Sequence, residues 1–144
     1  MSASNERIYF LLQMAAHRLR KKADNVLLDQ AGLTTAQVAV LNLIAKGTEV
    51  NQRELAERLH QNESAMTAMV QRLLKANLIT RHRSKKDGRN WVLEMTDNGR
   101  TTLDRAHIPF KEINTRLDRA ISSKDTKKLA AQLNEIIDAF SDNR

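Results

Sequence analysis

Between Gln71 and Asn90 the chain carries Arg72, Lys75, Arg81, Arg83, Lys85, Lys86 and Arg89 against one acid, Asp87. Over all 144 residues the formal charge is +7, so nearly the whole excess sits in this one segment. Cationic groups at that density attract a polyanion, and they bind phosphates by displacing condensed counterions. Just upstream lies a stretch short of charge and rich in small polar side chains: Gln61, Asn62, Glu63, Ser64, Thr67 and Gln71. Amide groups of this kind can pair with adenine edges in a major groove, and Glu63 can accept from cytosine N4. Glu63 equally suits the positive end of a helix dipole, and both readings stay open. Arg89 is shaped for a narrow minor groove, where negative potential is enhanced. Beside it, Gly88 is expected to let the tip turn tightly, and Asp87 to hold the loop by pairing with a neighbouring Arg.

The elements that position these groups follow from periodicity and caps. From about Glu6 to Leu28, Ile8, Leu12, Ala15, Leu19, Ala23 and Val26 recur every three or four residues, one stripe of a long helix that Gly32 ends. Thr34 with Gln37 forms a capping-box signal for a second helix, which Gly47 is expected to stop. Asn51 with Glu54 opens a third, and His60-Gln61 make a tight connection. Asn62 caps a fourth helix, buried along Met66, Met69 or Val70, Leu73 and Leu74. Asn77 suits a left-handed helix stop. The period then changes to strands at Ile79–Arg83 and Trp91–Thr96, the second with Trp91, Leu93 and Met95 on one face. The polar loop 84–90 joins them as a hairpin. Helix, turn, helix and hairpin make a winged helix-turn-helix, so the expected fold class is mainly α with a small β wing.

Beyond Gly99, Leu103, Ala106, Phe110, Ile113, Leu117 and Ile121 resume helical spacing, with a kink or break expected at Pro109. Ser122 with Asp125 is expected to cap a last helix carrying Leu129, Leu133, Ile136 and Phe140. The organisation expected is a dimerisation helix in 1–33, a DNA-binding lobe in 34–98 and dimerisation helices in 99–144, together one intertwined domain. A small central lobe cannot cover the apolar stripes of the end helices. A homodimer joined through Ile8, Leu12, Leu19, Ile113, Leu117, Leu129, Leu133, Ile136 and Phe140 can.

Cysteine is absent, which excludes disulfides, thiolate-bound zinc and thiol redox sensing. There is no signal-peptide pattern and no long apolar run, so a cytoplasmic location and no membrane partner are expected. The four histidines, His17, His60, His82 and His107, lack metal-ligand spacing; only a site assembled from distant residues such as His17 and His107 stays open. No cofactor, metal or catalytic motif is expected, and the chain does not read as an enzyme. Met14, Met66, Met69 and Met95 read as core, with an adaptable ligand cleft as the alternative. Trp91 reads as core packing.

The order Leu33-Thr34, the helix pair from Gln52 to Arg72, Leu78-Ile79-Thr80-Arg81, Asp87-Gly88-Arg89 and Leu93-x-x-Thr96-x-x-Gly99 resembles the MarR family of regulators. The resemblance implies a homodimer on a pseudo-palindromic operator in double-stranded DNA, usually as a repressor released by a small aromatic or phenolic ligand. By position, Thr67 resembles the family's recognition-helix Thr and Arg89 its wing-tip Arg. Ala68 stands where many relatives carry Arg, and Asn77 where Gly is frequent. Competing readings are a constitutive or architectural DNA binder, a helical adaptor with an acidic protein partner, and an anionic-membrane binder. The DNA-binding groups expected are Gln61, Asn62, Ser64, Thr67, Gln71, Arg81, Arg83, Lys85, Lys86 and Arg89, with Asp87 and Gly88 supporting the wing.

Overall fold

The structure is a computed structural model that describes residues 7–141. Its elements run α1 (Ile8–Ala31), α2 (Thr35–Ile44), α3 (Gln52–Arg58), α4 (Glu63–Lys75), β1 (Ile79–Arg83), β2 (Trp91–Met95), α5 (Asp97–Ala120) and α6 (Thr126–Ala139). The fold is mainly helical with a two-stranded antiparallel wing, as the periodicity implies. The expected first residue of α1, Glu6, lies outside the described residues. By contacts the chain divides into two compact units, Met1–Pro109 and Phe110–Arg144.

Local hydrogen bonds set most boundaries in the first unit. The Gly32 N–H donates to the Leu28 carbonyl, and its φ of +69° then turns the chain out of α1. Thr34 Oγ1 accepts from the Gln37 N–H at 3.1 Å while Gln37 Oε1 accepts from the Thr34 N–H at 2.9 Å, a complete capping box. Asp24 of α1 adds a tertiary clamp by accepting the Thr35 N–H at 2.7 Å. Asn51 caps α3 through the Glu54 N–H at 2.8 Å. His60 (φ 52°) and Asn77 (φ 60°) take the left-handed turns that end α3 and α4. Gly47 does not stop α2: the helix ends at Ile44, and Gly47 (φ 81°) turns the loop beyond it.

The core of this unit is aliphatic. Leu27, Leu33, Leu41, Leu55, Met66, Leu73 and Ile79 are essentially inaccessible. β1 and β2 pair from Ile79 opposite Met95 to Arg83 opposite Trp91. The Leu93 N–H donates to the Val50 carbonyl at 2.8 Å, so the segment before α3 joins the wing by one bridge. Met66 and Met95 are core, Met69 is half-buried and Met14 is exposed.

Three expectations are corrected. Trp91 does not share the buried face of Leu93 and Met95; it is 47% exposed, because its ladder position opposite Arg83 lies past the edge of the core. Of the two outcomes expected at Pro109, the break does not occur: α5 runs unbroken to Ala120. A missing N–H deletes one helical hydrogen bond, and the bonds on either side carry the helix through. Asp125 occupies the N-cap of α6 but makes no side-chain cap bond, because its backbone (φ −99°, ψ −11°) is already in the helical region.

In the second unit, Ile113, Leu117 and Leu129 are half-buried while Leu133, Ile136, Ile137 and Phe140 are exposed, and α6 buries no residue. No described helix is long and apolar enough to cross a membrane.

The Leu93-x-x-Thr96-x-x-Gly99 spacing acquires a physical reason at the start of α5. Thr96 Oγ1 accepts from the Gly99 N–H at 2.9 Å and donates to the Asn77 carbonyl at 2.7 Å, tying α5 to the end of α4. The Leu78 carbonyl accepts the Thr96 N–H at 3.1 Å and lies where a Cβ on Gly99 would sit. A backbone atom cannot rotate away, so Gly99→Ala should destabilise the protein by roughly 1–3 kcal/mol, despite the better helix propensity of Ala. Equilibrium urea unfolding measures this, and unchanged stability would show that the contact relaxes freely.

Candidate nucleic-acid interface

The exposed face of α4 begins with its cap. Asn62 Oδ1 accepts from the Ala65 N–H at 2.7 Å and from Ser64 Oγ at 2.9 Å, so its carbonyl oxygen is committed to the helix start and only its amide N–H groups face outward unbonded. One turn on, Thr67 Oγ1 donates to the Glu63 carbonyl at 2.8 Å and accepts from Gln52 Nε2 at 2.6 Å. Gln61, Asn62, Glu63, Ser64, Thr67 and Gln71 are all exposed. Met66, Val70 and Leu73 bury the opposite face, fixing which side of α4 points outward.

The wing is held by a clamp that sequence reasoning missed. Ser84 is the one polar residue buried in the core (7% exposed) among those described. Its hydroxyl donates to Glu49 Oε2 at 2.6 Å and accepts from the Lys86 and Asp87 N–H groups, both at 3.1 Å. Every hydrogen-bonding capacity of the hydroxyl is filled. Glu49 Oε1 also accepts the Lys85 N–H at 3.1 Å. The Ser84 hydrogen bond lowers the Glu49 pKa most; desolvation opposes it, and the Lys85 N–H and the charges of Lys86 and His82 add to the lowering. His82 in turn lies 2.9 Å from Glu94 across the strands. A lone acid before Val50 gave no signal, because its partners are thirty-five residues away.

The tip is arranged differently from the expectation. Asp87 pairs with no arginine side chain; its carboxylate accepts from the Arg89 N–H at 3.1 Å and from Asn90 Nδ2 at 3.3 Å. Gly88 does not turn the loop through a left-handed backbone, and a Cβ there would meet nothing within 4 Å; what it contributes is a carbonyl. Arg83 Nη1 donates to that carbonyl and to the Arg89 carbonyl, each at 3.3 Å. The same guanidinium lies 4.3 Å from the Trp91 ring centre, with Arg81 at 5.3 Å. Cation–π attraction of this kind is worth about 0.5–1 kcal/mol at an exposed site. It gives the Trp91 ring a partner beyond the edge of the core. Arg83 therefore braces the loop, whereas Arg81, Lys85, Lys86 and Arg89 are exposed and in no ion pair among the described residues.

One element thus presents a polar face with Glu63 as its one acid, and a neighbouring hairpin presents unpaired cations. That combination suits base edges at the helix and phosphates at the wing. No group of three metal-ligating side chains occurs among the described residues.

A family model described as "MarR family" matches residues 31–90. The HTH-type transcriptional regulator BilQ of Clostridium symbiosum is 28% identical over 109 residues, covering 76% of each chain. The HTH-type transcriptional regulator SarZ of Staphylococcus aureus is 25% identical over 141 residues, covering 96% of this chain and 92% of its own. Among solved structures, the transcriptional repressor CouR bound to a 23-mer DNA duplex superposes with a TM-score of 0.83 at 29% identity, covering 92% of this chain and 93% of its own. CouR from Rhodococcus jostii bound to p-coumaroyl-CoA gives a TM-score of 0.80 at 25% identity, covering 92% of each chain.

The depressed Glu49 pKa has a direct consequence. A carboxylate stabilised in the folded state contributes above its unfolded pKa, and the contribution is lost as pH falls through the lower folded value. Acid below the ordinary carboxylate range should therefore loosen the wing, while Glu49→Gln should be loose at neutral pH and lack that transition. Emission of Trp91, the sole tryptophan, followed across pH in both proteins is the check; identical titrations would remove Glu49 from the clamp. A second expectation concerns the brace. Trp91→Ala should weaken DNA binding several-fold without altering charge, and equal affinity in a band shift would show that the wing holds its form unaided.

Proposed function

Because the chain belongs to the MarR family of winged helix-turn-helix transcription regulators, which are DNA-binding proteins and not enzymes, we propose that it represses a nearby promoter as a homodimer on a pseudo-palindromic operator. The observation that carries this is the pairing of the outward polar face of α4 with the clamped, cation-bearing wing. In the proposal α4 enters the major groove with Gln61, Asn62, Ser64, Thr67 and Gln71. Arg81, Lys85 and Lys86 meet phosphates and Arg89 reaches the adjacent minor groove. Arg83, with Asp87 and the Gly88 carbonyl, keeps the tip in form.

Dimerisation is proposed from apolar side chains left in water on the single chain. Ile8, Leu12 and Leu19 of α1, Leu133 and Ile136 of α6, and Phe140 just after it are all at least 37% exposed. Each large side chain so buried would gain about 1.5–3 kcal/mol. Ile113, Leu117 and Leu129, already half-buried, would complete the contact. Release by a small aromatic or phenolic ligand completes the proposal; CouR, solved with p-coumaroyl-CoA, supports that class. With no cysteine in the chain, the switch is not a thiol.

Binding of the purified protein to DNA upstream of its own coding region, across a salt series, tests the reading. The expected result is competitor-resistant binding that protects a palindrome of about two helical turns. Weak binding, indifferent to sequence and abolished by modest salt, would instead identify an architectural binder. Arg89→Ala should weaken binding and lower the slope of log affinity against log salt by about one for each wing engaged. An unchanged slope would remove Arg89 from the phosphate and minor-groove contacts.

A further inference from the structure

Gln52, at the first residue of α3, is not among the groups that the sequence pattern singles out. Its side chain nonetheless reaches fifteen residues along the chain to donate to Thr67 Oγ1 at 2.6 Å. Thr67 Oγ1 simultaneously donates its proton to the Glu63 carbonyl at 2.8 Å. A helical threonine splits between two rotamers, because its hydroxyl can bond a carbonyl three or four residues back. The bond from α3 selects the rotamer tied to Glu63.

The chemistry left for a ligand is narrow. The hydroxyl has no proton to offer an acceptor such as guanine O6 or a purine N7, and retains one lone pair. The group that Thr67 has free is its methyl. Of its neighbours, Ser64 Oγ has given its proton to the Asn62 carbonyl oxygen, which also caps the helix, so the donors left there are the Asn62 amide N–H groups. Ala68, half-buried, is another methyl. In the major groove only thymine displays an apolar group, its 5-methyl.

We propose that Gln52 is a positioning residue that locks the Thr67 hydroxyl, so that the Thr67 methyl reads the 5-methyl group of a thymine in each half-site. This rests on α4 being the groove-entering helix, and the experiment separates the two claims. Affinity is first measured on the footprinted operator, then on duplexes in which each thymine in turn is replaced by deoxyuridine, removing one methyl and nothing else.

Wild type should lose roughly fourfold at one position in each half-site, the worth of one buried carbon. Thr67→Ser should bind the thymine and uracil duplexes equally at that position. Thr67→Val, which keeps a methyl and lacks the hydroxyl, should retain the difference. Gln52→Ala should shrink it below twofold at an unchanged melting temperature, because Thr67 regains its second rotamer. Specific binding by wild type with no uracil effect anywhere would overturn this inference and leave the DNA-binding reading intact. So would loss of specific binding in Thr67→Val, which would mean that the remaining hydroxyl lone pair reads a base donor. Failure to bind the all-thymine operator specifically would overturn both.

Discussion

One hydrogen-bonded hydroxyl, that of Ser84, fixes the wing loop to the rest of the lobe. It joins the carboxylate of Glu49 to two backbone N–H groups of the hairpin loop, in a setting where an unsatisfied polar group would cost about 1–3 kcal/mol. Glu49 immediately precedes Val50, which bridges to Leu93, and Asn51, which caps α3. The loop that anchors the wing is therefore also the loop that starts the helix-turn-helix. Two recognition elements made from distant stretches of chain share one fixed reference point.

From that point the outward-facing chemistry divides into groups that are held and groups that are free. Arg83 is a cation, yet one nitrogen of its guanidinium is held by two carbonyls and the group lies over the Trp91 ring. Asn62 is an amide, yet its oxygen caps a helix. Lys85, Lys86 and Arg89 stand unpaired among the described residues, because the nearby acids Glu49 and Asp87 are bonded to backbone and hydroxyl groups instead. Preorganisation of this kind lowers the ordering cost of binding, since the loop carrying the cations is already in form.

The junction of α4, β1 and α5 plays the equivalent part for the helices. Asn77 turns with a positive φ, its carbonyl accepts from Thr96, and Gly99 leaves room for the Leu78 carbonyl. A helix stop, a strand start and a helix start are thereby packed into one backbone cluster. The family-like spacing of Leu93, Thr96 and Gly99 is the linear trace of that cluster. Leu93 enters the core, Thr96 caps, and Gly99 yields space.

Much of this was legible in the linear chain, for local reasons. Helix periodicity, the Thr34–Gln37 box, the Asn51 and Asn62 caps and the Asn77 stop all depend on residues within four positions of one another. So does the clustering of basic residues on a hairpin. What only the tertiary structure decided are the pairings over long separations. These are Glu49 with Ser84, Gln52 with Thr67, Asp24 with Thr35, and Arg83 with the ring across the ladder. Trp91 was misjudged for the same reason: strand alternation assigns it a face but not how far along the strand the core extends. Whether Pro109 breaks α5 was equally undecided by the sequence, because that depends on whether the neighbouring helical bonds hold. Sequence determined which groups this protein has and on which elements they ride; folding decided which of them are left free to bind.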